Sequence, residues 1–385
     1  MRSRKLLLVV ILVVMVAVAG FAGHTARAQG KSFKIGVSNS FVSSEWRSQM
    51  LSNMDNVVKD LKATQGIDVQ LLVESKDTDV PGQIQQIQNL LNKGAQAIII
   101  NPGDVKGLNS TLEDAVAGGV PVISVDQAID AKGVINVVID QKQWAKISAQ
   151  WLATQLGGKG DIVLIEGVVG HPANEARMSG VQEVLDANPG IKVVGRDSGK
   201  WDQATGQKVM ANFLASLPNI DGVWTQDGMA TGVLTALKTA NPKKWPIVSG
   251  EARASYLQQW ADIAKTQTGF TSFGVVNPPG VGADGLRVAV ELLSGTKIDP
   301  LALQGANKNT LFVSIPYIVD KTNFDAWYAV VKDLPASYTL DGLISQDDAK
   351  ALMAGKLVAQ PPTASTPGPS NMPAMAATMA ATTTK

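Results

Sequence analysis

Short runs of β-branched and aliphatic residues alternate with helix-length amphipathic stretches, and that alternation limits what this chain can fold into. "FKIGV" at Phe33–Val37 reads as a strand and Trp46–Thr64 as a helix. "VQLLV" at Val69–Val73 is followed by "VPGQIQQIQNLLNKG", where Ile84, Ile87, Leu90 and Leu91 recur at helical spacing and Gly94 ends the run. "AIIINP" at Ala97–Pro102 and "VPVISVD" at Val120–Asp126 come next. Strands that are apolar at every residue are covered on both faces, as in a parallel sheet between layers of helices.

The pattern then restarts. "VINVVID" ends at Asp140 and a helix is expected over Trp144–Leu156. "DIVLIEG", "IKVVGRD", "DGVWTQD" and "WPIVSGE" are four further strands separated by helices. After them, "GFTSFGVVNPPG" leads into a helix at Val281–Leu293, and "LFVSIP" follows. These late pieces have no sheet of their own and must complete the earlier two. The reading is α/β: two doubly wound parallel-sheet domains joined by a three-segment hinge. The first lobe is 31–139 plus 277–308 and the second is 140–276 plus 309–345, with crossings near Ile139, Val276 and Asn309. At 385 residues the chain is long enough for two such cores.

The two ends differ from this body. "MRSRK", an apolar run from Leu6 to Val18, and "ARA" at Ala26–Ala28 read as an export signal at residues 1–28, cleaved after Ala28, so the protein is expected in the periplasm or outside the cell. From Gln360 the chain is rich in proline, threonine and alanine with almost no charge. Residues 360–385 are expected to be a disordered tail whose removal changes neither stability nor affinity. Losing Arg2, Arg4, Lys5 and Arg27 with the signal leaves 30 of the 34 basic residues against 33 acidic ones. That near-neutral balance gives no reason to expect nucleic acid as a partner.

The chemistry is limited as well. No GxGxxG follows the first strand, no phosphate-binding GxxxxGK[ST] occurs, and no G-x-S-x-G elbow is present. Without cysteine, and with His171 the one histidine beyond the signal, zinc has few ligands, and no metal or cofactor is expected. A carboxylate pair such as Asp126 and Glu251 could serve glycoside hydrolysis, but acids at strand ends also simply accept hydrogen bonds from hydroxyls. Binding rather than catalysis is the expectation. Ligands of wound α/β sheets sit outside the carboxyl ends of the strands. The polar residues there are Ser38 and Asn39, Asp126 and Gln127, Glu166, Asp197, Gln226 and Asp227, Glu251 and Asn277. Trp46 and Trp201 sit at strand-to-helix corners, placed either to pack in the core or to stack on a sugar face. His171 lies in the glycine-rich loop "GVVGHPANEARMSG" as a base, a ligand contact or an ordinary loop residue.

Several of these stretches resemble a known family. "GHPANEARMSG", "GKWDQATGQ", "TQDGMATGVLTAL" and "INPGD…GVPVISVDQ" are similar to the periplasmic sugar-binding proteins of the ribose and galactose type, over roughly Lys31 to Asp320. "SSEWR" resembles the galactofuranose-binding branch. The resemblance implies a monomeric solute-binding component that captures a neutral monosaccharide by hinge closure and passes it to the membrane permease of an ABC importer. A receptor-linked sugar sensor is the alternative. By position it implies that Trp46 and Trp201 sandwich the sugar ring while His171 and Arg177 donate to hydroxyls. Asp126, Gln226 and Glu251 would be strand-end partners, Asn277 would lie near the hinge, and Arg47 and Asp227 would add charge beside them. The chain also departs from the pattern. Gln127 stands where ribose-type members carry arginine, and Ala173 replaces an acid for which Asn174 would compensate. Glu251 is one methylene longer than the usual aspartate, and no calcium loop is visible. The same fold forms the effector domain of lactose-repressor-like regulators, but here an export signal stands where those carry a DNA-binding segment.

Overall fold

Each half of the chain builds its own sheet. The computed structural model describes residues 31–368 apart from positions 43 and 105. The expected export signal and residues 369–385 lie outside the described residues. In the first half, β1 (Ser32–Asn39), β2 (Asp68–Ser75), β3 (Ala97–Asn101), β4 (Val122–Val125) and β5 (Ile135–Val138) pair in the order β5-β4-β3-β1-β2. All of these neighbours are parallel. The helices α1 (Glu45–Gln65), α2 (Val80–Asn92) and α3 (Asn109–Ala117) connect them. The apolar runs explain the arrangement: all five residues of β3 are buried, so helices must cover both faces. Local signals fix the helix ends. Asp79 caps α2 by accepting from the Gly82 N–H, with Pro81 in the first turn, and α1 closes on Gly66 at φ 65°.

The second half repeats the winding. β6 (Lys159–Glu166), β7 (Gly190–Ser198), β8 (Gly222–Thr225), β9 (Ile247–Glu251) and β10 (Ser272–Val275) pair in the order β10-β9-β8-β6-β7. α4 (Gln141–Gln155) leads into β6, and α5 (Pro172–Ala187), α6 (Gln203–Ser216), α7 (Ala230–Ala240) and α8 (Ala254–Thr266) run between the strands. After β10 the chain returns to the first lobe as α9 (Val281–Leu293), whose buried face packs against α1, β3 and β4. The two-domain α/β reading therefore holds.

Two boundaries differ from the sequence expectation. "LFVSIP" does not belong wholly to the second lobe: β11 (Thr310–Phe312) pairs in parallel with β5 at the edge of the first sheet. The third crossing follows Val313, and the chain joins the second sheet only as β12 (Ile318–Val319), antiparallel to β10. The second difference is at the tail. Residues 360–368 are ordered: the Ile318 N–H donates to the Thr363 carbonyl, and Asn323 Nδ2 and Trp327 Nε1 both donate to the Ser365 carbonyl. Low charge and high proline content misled the reading, because this stretch is held through its backbone carbonyls rather than by burying apolar side chains.

The segment through residues 340–353 and that ordered end make the chain cross between lobes five times rather than three. After α10 (Phe324–Val331), Leu340 N–H bonds the Ala252 carbonyl in the second lobe. The Ile344 N–H then reaches Asp284 on α9, and α11 (Gln346–Met353) packs against α9 in the first lobe. Residues 363–365 are back on the second lobe. A strap thus runs beside the hinge.

Candidate ligand-binding cleft

The carboxyl ends of both sheets face one another across a cleft lined by Phe41, Ser44, Trp46, Arg47 and Asp126 of the first lobe. His171, Ala173, Arg177, Trp201, Asp227, Gly228 and Arg253 of the second lobe and hinge residue Asn277 complete it. Its cavity volume is about 40 Å³, room for only a few water molecules. Side chains of the two lobes are in contact. Arg253 Nη1 donates to Glu45 at 2.7 Å, and Gln141 Nε2 reaches the Asp126 carbonyl at 3.1 Å. The lobes stand closed.

Trp201 is the second lobe's aromatic wall. Its backbone is left-handed at φ 56°, and its indole lies so close to Gly167 that a Cβ there would sit 2.2 Å from the ring. Trp201 Nε1 donates to Gln226 Oε1 at 2.8 Å, and the His171 ring meets the indole edge-on at 4.7 Å. His171 is the N-cap of α5. Its Nδ1 lies 3.3 Å from the Ala173 N–H, and its Nε2 lies 3.2 Å from Gln127 Nε2. Burial, with Arg47 and Arg177 close by, lowers its pKa to about 3, so it is a neutral hydrogen-bonding group at ordinary pH.

Arg177 is the most tied of the three cleft arginines. Its Nε donates to Gln141 Oε1 at 2.8 Å, and its Nη1 to Gln226 at 3.2 Å and Asp227 at 2.6 Å, while its guanidinium lies 4.3 Å over the Trp144 ring. No hydrogen bond among the described residues occupies its Nη2. Asp227 also accepts from Asn277 Nδ2 at 2.8 Å. Across the cleft, Arg47 donates to Asn39 Oδ1 at 2.6 Å and lies 3.7 Å from Asp126, and burial lowers its pKa to about 10. Asp126 holds a left-handed backbone at φ 70°, unusual outside glycine, and burial raises its carboxyl pKa.

The sequence-predicted residues fall into two layers. Trp46, Arg47, Asp126, His171, Arg177, Trp201, Asp227 and Asn277 reach the cleft. Trp46 also belongs to the core: it is 5% exposed and its Nε1 donates to the Asn277 carbonyl on the hinge at 2.8 Å. Asn39, Gln127, Asn174, Gln226 and Glu251 lie behind that surface. Asn39 braces Arg47, and Gln127 donates to Asn101 and to the Pro102 carbonyl. Asn174 accepts from the Gly167 N–H and from Gln226 and donates to Glu166, which Arg196 clamps with two bonds. Glu251 accepts from the Gly228 N–H and from Arg253, its Oε1 has no partner among the described residues, and burial raises its pKa. Sequence reasoning missed Phe41, Ser44, Ala173, Gly228 and Arg253 as lining. For Phe41 and Arg253 a signal existed: both lie in the same strand-to-helix loops as residues that were chosen.

Residues 35–297 match the family described as the periplasmic binding protein domain, more than half of the chain. The chain belongs to that family. Among its relatives, the xylitol-binding protein of Mycolicibacterium smegmatis is 31% identical over 257 residues, 65% of this chain and 72% of the relative. The ribose import binding protein of Bacillus subtilis is 28% identical over 212 residues, 54% of this chain and 67% of the relative. An ABC transporter solute-binding protein from Thermobispora bispora superposes with a TM-score of 0.72 at 25% identity, covering 86% of this chain and 98% of that one. The protein is thus a periplasmic sugar-binding protein of the ribose and galactose type, and family members bind solutes rather than transform them.

Proposed function

We propose that this family member captures a neutral monosaccharide between its lobes and delivers it to the membrane permease of an ABC importer. The observation that carries the reading is the charge balance of the cleft. Arg47, Arg177 and Arg253 stand against Asp126, Asp227 and, just behind, Glu251, with a neutral His171 between the lobes. A sugar acid or phosphate would add charge that this set does not offset, in a partly desolvated space. A neutral sugar can donate hydroxyls to the acids and accept from the arginines and His171, with Trp201 and Phe41 as apolar walls. The relatives' ligands, xylitol and ribose, support the class. Import is favoured over receptor-linked sensing because the sequence relatives include import binding proteins. The fructose-binding periplasmic domain of a hybrid two component system shares only the fold, at 22% identity and a TM-score of 0.63.

A thermal-shift screen tests the ligand class. A ligand at a hundred times its Kd that binds only the folded state adds about 2.7 kcal/mol, which is roughly 5–10 °C in a molecule of this size. Neutral pentoses, hexoses or their polyols are expected to give that shift. A clear shift with uronic acids or sugar phosphates, and none with any neutral sugar, would overturn the reading.

A further inference from the structure

Among the described residues lies a cavity larger than the cleft. Beside the hinge lies a space of about 370 Å³, within the size range of small-molecule sites, which favour domain boundaries. Its walls come from parts of the chain that each serve both lobes. Phe312, Val313 and Pro316 belong to the third crossing, Leu343 to the return toward α11, and Leu357 and Ala359 to the strap. One ionisable side chain lines it, Asp284 in the first turn of α9. Asp284 is 2% exposed; its Oδ1 accepts from the Ile344 N–H at 3.0 Å, and no hydrogen bond among the described residues reaches its Oδ2. Ser314 also lines the space, its Oγ accepting from the Gln360 N–H at 3.0 Å. No lysine, arginine or histidine lines it among the described residues.

We propose that this cavity is a second ligand site, distinct from the sugar cleft, for a small amine with an apolar body, the ammonium bonding Asp284 Oδ2 and the body filling the space between the crossing and the strap. The chemistry selects this class over its neighbours. An anion would meet a buried carboxyl and no cation. A sugar would need a partner for every hydroxyl, whereas the only polar side chains on these walls are Asp284, Ser314 and Ser365, and Ser314 already accepts from the Gln360 N–H. A neutral apolar molecule would leave the buried carboxyl oxygen without a partner. Burial pushes the Asp284 carboxyl well above its ordinary range, with Asp341 and Asp348 adding to that push and the Ile344 N–H and Arg287 opposing it. A cation brought to Oδ2 would relieve both effects, so the ammonium–carboxylate bond replaces a penalty already present.

Titration calorimetry of the sugar-free, full-length protein with cyclohexylmethylamine tests this, with cyclohexylmethanol as the neutral comparator. Saturable binding of the amine is expected, with the alcohol weaker by about ten- to a hundredfold, the worth of a charged hydrogen bond. Asp284→Asn should lose binding by the same factor. Because Asp284 also holds the Ile344 N–H, Ala359→Trp serves as a second variant: it fills the space without removing a hydrogen bond and should abolish amine binding. No saturable binding of the amine at millimolar concentration would overturn the proposal. So would equal binding of the alcohol, or undiminished binding to Ala359→Trp.

Discussion

At the residue scale, Arg177 and Trp201 separate two kinds of cleft side chain. Trp201 is half-buried and makes one hydrogen bond, so Trp201→Ala is expected to weaken sugar binding while the fold persists. Gly167→Ala offers a sharper check: its new methyl group would collide with the indole, displacing the wall without removing it. Both variants should raise the Kd of the stabilising sugar about tenfold or more with melting temperature little changed; a parental Kd in either would remove Trp201 from the site. Arg177 is different. It is 2% exposed and joins Gln141, Gln226 and Asp227, so Arg177→Ala removes the charged partner of a half-buried carboxylate and a donor from each of two amides, while Asn277 and Trp201 still donate to Asp227 and Gln226. Breaking a buried pair from one side costs about 3–5 kcal/mol, and this variant is expected to lose both stability and affinity in parallel denaturation and binding measurements. Unchanged stability would show that the Arg177 bonds carry no net energy in the fold.

At the scale of elements, the strands and most helices were legible because a parallel strand writes its burial on every residue. "AIIIN" and the helix over Val281–Leu293 needed nothing more than that. The site was legible as the set of polar residues at strand ends. Which of them would reach the cleft was not, because depth depends on side-chain length and on what the other lobe brings up: Glu251 stops behind Gly228, whereas Arg253, two residues on, comes through. Polar positions hid burial as well. Gln83 and Gln86 of α2 look solvent-facing in the sequence, yet both are buried beneath the end of β1, with Ser38 Oγ donating to Gln86 and Gln83 Nε2 to the Asn101 carbonyl. The strap was the largest miss, since a run held through its backbone carbonyls carries no periodicity. Its energetic role is testable. Ending the chain at Gln360 removes the acceptors of Ile318 N–H and Trp327 Nε1 and one of the two acceptors of Asn323 Nδ2, which keeps the Ile318 carbonyl. At about 0.5–1.5 kcal/mol for each bond, the truncated protein should unfold at least several degrees lower, read by calorimetry against the full chain. An identical melting temperature would show that the strap is not part of the fold's stability.

At the scale of the whole molecule, closure and protonation should be linked through His171. Its depressed pKa is a product of both lobes: burial dominates, Arg47 of the first lobe and Arg177 of the second add to it, and Asp104 of the first lobe opposes them more weakly. When the lobes separate, the ring regains water and loses Arg47, and its pKa returns toward the ordinary value near 6.5. The closed state, whose pKa is the lower one, is therefore fully favoured above about pH 6.5 and loses ground as the pH falls toward the closed-state value of about 3. Asp126, Glu251 and Asp341, all raised by burial, act in the opposite sense wherever closure contributes to that burial. For Asp341, raised to about 6, the contribution is present at acid pH and lost as the pH rises through that value. Those carboxyls remain when His171 is replaced, so comparison with His171→Asn isolates the histidine. Between about pH 7 and pH 5.5, sugar affinity of the parent should fall by about eightfold more than that of His171→Asn, the share set by one proton excluded on closure. Calorimetric titrations of both proteins at the two pH values give the ratio directly. If both lose affinity equally, the imidazole does not exchange its surroundings between open and closed forms, and His171 is already shielded before the lobes meet.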